Sequence, residues 1–103
     1  MKIKVGSSSY NLETQGIEQI SEIFDEGEYA GYCDEFDSKI VVCKEFSKEV
    51  RQRTLFHELT HAILNEIRRD LSDDEIFVDA LSRQLYMLIN NNDMKKIMEF
   101  VSK

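Results

Sequence analysis

His57, Glu58, Leu59, Thr60 and His61 form an HExxH string that holds both histidines of the chain. On a helix, residues four apart stack on one face. Two imidazoles so placed can close on a single divalent cation. Glu58, one position along, points at the neighbouring quadrant, where a water bound to that cation would sit. Two nitrogen ligands and a carboxylate base on one rigid rod are what a zinc hydrolase requires.

The rod itself is legible. Ser47 is suited to cap a helix that carries the motif, with Glu49 near its positive end. At 100° per residue, His61 lies about 40° and Glu58 about 100° round from His57. Leu55, Phe56, Leu59, Ala62, Ile63 and Ile67 fall on the opposite arc, which is apolar and suited to a sheet. Upstream, Ile3 and Val5 alternate with lysines, residues 6–9 supply a turn, and Tyr10 and Leu12 resume the alternation. Ile17, Ile20, Ile23 and Phe24 recur at helical spacing. Residues 28–33 and 39–44 read as a strand pair around a polar turn, and Ile40 to Cys43 is the most strand-like run of all.

Downstream, Ser72, Asp73, Asp74 and Glu75 have the form of a capping box. The helix it opens has an apolar stripe of Phe77, Leu81, Leu85 and Leu88 and a polar stripe of Glu75, Asp79, Ser82 and Tyr86. A last short helix places Met94, Ile97, Met98 and Val101 inward. These elements predict an α+β fold, one domain over residues 1–103. A small antiparallel sheet in the N-terminal half packs on the HExxH helix, followed by a second ligand-bearing helix and a short C-terminal one: a minimal zincin-like arrangement.

A catalytic zinc takes three protein ligands and leaves one position open. With both histidines used, the third ligand must be another kind of side chain. Glu66 sits about 140° from His61 on the same cylinder, too far round to share the cation. Glu75, in the first turn of the next helix, is the first choice. Asp79 one turn later is placed to accept the outward N–H of a histidine. If Glu75 instead folds back onto the Ser72 amide as a capping-box residue, Asp79 or Asp74 inherits the metal. A metzincin would carry glycine and histidine three and six places past His61; Leu64 and Ile67 stand there and exclude that class.

The motif with Glu75 and Asp79 on a second helix resembles the gluzincin pattern of thermolysin-like enzymes. The string from Leu55 to Ala62, with the run from Glu75 to Leu81, resembles the small phage and mobile-element metallopeptidases of the ImmA/IrrE type, over residues 53–89. That resemblance implies His57, His61 and Glu75 as ligands of one zinc ion, Glu58 as general base, and a repressor or other regulatory protein as substrate. Two departures stand out: no third histidine is present to stabilise an oxyanion, and those proteins usually have a longer tail.

The expected function is that of a zinc-dependent metalloendopeptidase. Glu58 takes a proton from the attacking water and passes it to the leaving amine, and Tyr29, Tyr32 or Tyr86 is the oxyanion donor. The strand around Tyr29 to Cys33 is a candidate edge for binding an extended peptide. The alternative is a non-catalytic, zinc-stabilised scaffold or protein-interaction module. A further reading leaves Glu58 paired with Lys48, Arg51 or Arg53 on a metal-free helix.

Composition bounds these readings. Of 103 residues, 42% are hydrophobic and 32% charged, an ordinary globular balance. A net charge of −7 argues against nucleic acid as the main ligand, because phosphate backbones demand a basic face. No apolar run approaches membrane-spanning length and the N-terminus lacks a signal-peptide pattern, so the expectation is a cytoplasmic protein. Cys33 and Cys43 are then expected to be two buried thiols rather than a disulfide, with a role as soft zinc ligands a minor alternative. Oligomeric state is left open.

Overall fold

The computed structural model describes residues 1–23 and 30–103. The chain opens with strand β1 (Lys2–Val5), strand β2 (Ser8–Gln15) and helix α1 (Ile17–Ile23). Strands β3 (Gly31–Asp34) and β4 (Lys39–Cys43) follow. The rest is helical: α2 (Lys48–Ile67), α3 (Arg69–Ser72), α4 (Glu75–Asn90) and α5 (Met94–Val101). The α+β layout expected from the sequence is therefore what the chain adopts.

Val5 pairs with Ser8, so the turn between β1 and β2 is two residues, Gly6 and Ser7. Gly6 sits at φ +58°, which tight hairpin turns require and glycine adopts without strain. The sheet order is β1-β2-β4-β3. Two pairings, β1–β2 and β3–β4, are antiparallel as expected. The central β2–β4 pairing is parallel, which corrects the expectation of an antiparallel sheet. The reason is topological. After β2 the chain passes through α1 and returns at the far edge as β3. The β3–β4 hairpin then inserts β4 beside β2, in the direction β2 already runs.

Each face of the sheet has its own core. On one side Val5, Tyr10 and Ile40 pack with Ala62 of α2, flanked by Leu55, Leu59 and Cys33. On the other, Ile20 of α1 packs with Tyr32, Val41 and Cys43. β4 is buried on both faces, which explains its unbroken β-branched run. Side-chain alternation sends Cys33 to the α2 side and Cys43 to the α1 side, and both are free thiols.

Helix α2 begins as the sequence predicts: Ser47 Oγ accepts from the Val50 amide at 3.3 Å. Its apolar arc is only partly covered, since Ile63 and Ile67 are exposed. Helix α5 departs further from expectation. Asp93 caps it, accepting from Lys96 N, but none of its residues is buried. Met98 and Val101, expected inward, are 62% and 70% exposed. Among the described residues no helix is long and apolar enough to cross a membrane.

Candidate metal centre

Three elements meet at the motif. Helix α2 supplies His57, Glu58 and His61 as the floor of a cleft of about 810 Å³. β3 forms one wall, and α3 and α4 form the other. β3 lies close to α2 because Gly31 faces it: a Cβ there would stand 2.4 Å from the Val41 carbonyl and 2.8 Å from Thr54 Cγ2. Glu35 and Arg69 form a bidentate ion pair that ties the end of β3 to α3.

The histidine rings sit 5.1 Å apart, centroid to centroid. Glu75 lies between them, with Oε2 3.2 Å from His57 Nε2 and Oε1 3.0 Å from His61 Nε2. The three residues offer one ligand atom each, all within 4.8 Å of one another. Bonds of about 2.0–2.2 Å to a tetrahedral zinc put neighbouring ligands roughly 3.3–3.6 Å apart. The Glu75 contacts are within a few tenths of an ångström of that spacing. Two imidazole nitrogens and a carboxylate are also a donor set that suits zinc. On both counts the residues fit a divalent cation.

The rest of the capping region explains why Glu75 can reach. Asp74, not Ser72, caps α4: its carboxylate accepts from the Phe77 amide at 3.1 Å. Glu75 is therefore the first helical residue rather than the closing member of a capping box, and its side chain is free to turn towards α2. Asp74 is occupied by the cap. Asp79 Oδ1 stands 3.9 Å from His57 Nδ1, while its Oδ2 accepts from Arg83 at 2.5 Å. Glu66 accepts from the Ser7 amide at 2.8 Å and from the Ser7 hydroxyl, in the β1–β2 turn.

Ser72 has a place that sequence reasoning missed. It is buried, and its hydroxyl lies 3.0 Å from His61 Nδ1. The sequence carried no separate signal for this, because a serine before an acidic helix start reads as a cap.

Glu58 is 8% exposed in the cleft floor. Burial, with the charge of Glu75 adding to it, pushes its carboxyl up to about 8. Among the described residues it makes no ion pair with Lys48, Arg51 or Arg53; Arg53 instead approaches Glu49. Buried carboxyls held above their ordinary value are common among general acids and bases.

The tyrosines separate. Tyr29 lies outside the described residues. Tyr32 is buried in the core on the α1 side of the sheet, the face turned away from α2. Tyr86 lines the cleft with His57, stacks edge-on against Phe56 at 5.6 Å, and donates its hydroxyl to Gln52 Oε1 at 3.2 Å.

Cys33 faces the same cleft. Burial, then the charges of Glu58, Glu35 and Asp34, push its thiol up to about 12. At pH 8 about one part in 10⁴ is then thiolate, against roughly a quarter for a free cysteine. Alkylation of Cys33 by iodoacetamide in the folded protein is expected to run about 10³-fold slower than in denaturant and to rise about tenfold per pH unit. Equal rates in the two states, read by mass spectrometry, would contradict this placement.

No family model matches the chain, and neither a curated protein nor a solved structure matches it.

Proposed function

We propose that this chain is a zinc-dependent metallopeptidase that hydrolyses a peptide bond in the cleft between β3 and α2. One observation carries the reading: a carboxylate from a second helix sits between the two motif histidines while the motif glutamate is buried beside them. His57, His61 and Glu75 would hold one ion. When bound, it supplies Lewis acidity, lowering the pKa of a water and polarising a carbonyl.

The protein's own groups do the rest. Glu58 takes a proton from the attacking water and delivers it to the amine that leaves as the C–N bond breaks. β3 is an edge of the sheet, paired only with β4 among the described residues. Its open side, from Ala30 to Cys33, borders the cleft. An extended peptide would pair with that edge by strand addition, its carbonyl presented to the motif. Of the two tyrosines that line the cleft, Tyr32 is packed in the core on the α1 side, so Tyr86 is the one that would donate to the oxyanion, after release from Gln52.

The substrate would be a peptide or protein, with a regulatory protein implied by the ImmA/IrrE-type resemblance. Two unpaired thiols on opposite faces of the sheet support a reducing, cytoplasmic setting. The test is incubation of the zinc-loaded chain with a mixed peptide library, with new termini read by mass spectrometry. Cleavage that stops with chelator and returns with zinc is expected. No new termini under any metal condition would refute the reading.

A second reading, a non-catalytic zinc-stabilised module, is favoured by two observations. The chain has no third histidine, and the Tyr86 hydroxyl is held by Gln52.

A further inference from the structure

We propose that Ser72 is the positioning residue for His61, and that the two motif histidines are supported unequally. The inference rests on the cation site of the preceding subsection. Ser72 is 4% exposed, on the cleft wall beside His61. Its Oγ lies 3.0 Å from His61 Nδ1 and 3.4 Å from the His61 backbone carbonyl. A hydroxyl offers one proton and two lone pairs. With Nε2 turned to a cation, His61 carries its proton on Nδ1 and donates it to Ser72 Oγ. The Ser72 hydroxyl proton then points to the His61 carbonyl. One buried hydroxyl thus ties the ring to its own backbone, setting tautomer and rotation together.

His57 has no counterpart among the described residues. Its Nδ1 is 3.9 Å from Asp79, beyond hydrogen-bond distance, and Asp79 is 55% exposed and engaged with Arg83. His61 is accordingly the pre-set ligand, and His57 the one that adjusts. The sequence suggested that Asp79 would orient a histidine; the geometry gives that task to the serine.

The experiment measures zinc affinity of the full chain by competition with a chromophoric chelator, for the wild type, Ser72→Ala and Asp79→Ala. Ser72→Ala is expected to weaken zinc by about 10–100-fold, the usual effect of losing an outer-shell partner. Asp79→Ala should stay near the wild-type value. Long-range ¹H–¹⁵N spectra of the zinc-loaded wild type should show a His61 Nδ1 proton protected from exchange with water. A Ser72→Ala affinity equal to wild type, a larger loss in Asp79→Ala, or a freely exchanging His61 Nδ1 proton in the wild type would each overturn the assignment. The exchange measurement needs no variant and so stands even if Ser72→Ala does not fold. A wild type that binds no zinc removes the metal centre and this assignment together, whereas tight binding indifferent to Ser72 removes this assignment alone.

Discussion

Glu58→Gln is expected to keep the fold and the cation site and to lower peptide hydrolysis by about 10²–10⁴-fold, the range a positioned general base contributes. The amide has the carboxyl's size and shape, so the floor of the cleft stays filled. It also removes an acid that is 8% exposed and stands near the Glu75 carboxylate, whose ionised form is costly to bury. What it removes is the proton relay, since an amide cannot take a proton from water near neutral pH. The measurement is kcat/KM on one cleaved peptide, with zinc content determined on the same samples. A variant that retains its zinc and cleaves at the wild-type rate would eliminate Glu58 as the base. If biological activity also survives unchanged, the non-catalytic reading takes its place.

His61→Ala should have the largest effect on the metal. Outer-shell partners alone change affinity by about 10–100-fold, so deleting a proposed ligand that stands 3.0 Å from Glu75 is expected to cost more than about 100-fold. The loss has a second readout. A ligand that binds only the folded state stabilises it by about 2.7 kcal/mol at a hundred times its Kd. Zinc should therefore raise the thermal midpoint of the wild type and leave that of His61→Ala nearly unmoved at the same concentration. An equal rise in both proteins would mean that zinc binds elsewhere.

Local features were read from the sequence; features set by pairing over distance were not. The Ser47 cap and the face shared by His57 and His61 depend only on neighbours along one helix, and they stand as expected. Glu75 follows the same local logic only as far as its place at the start of the next helix; its position between the two histidines depends on how α4 packs on α2. Its competitor, the capping box on Ser72, failed because Asp74 takes the cap two residues later and shifts the helix start. That two-residue shift is also what frees Ser72 to meet His61.

The parallel β2–β4 pairing had no local signature, since β4 is apolar on both faces and its alternation names no partner. The placement of Tyr32 was hidden for a related reason. Its face is set by the register Tyr32↔Val41, and one residue of slip would have turned it to the cleft. Helix α5 shows the opposite failure. Its apolar stripe was read as inward, yet periodicity records only that a face is apolar. Phe100 is 75% exposed on that helix.

Elemental analysis of protein purified without chelator, joined to anomalous scattering at the zinc edge from its crystals, interrogates the arrangement most directly. One ion per chain, bounded by His57 Nε2, His61 Nε2 and an oxygen of Glu75, is the expected result. A chain that carries no metal as isolated and takes up none when zinc is added back would contradict it, as would a peak away from those three side chains.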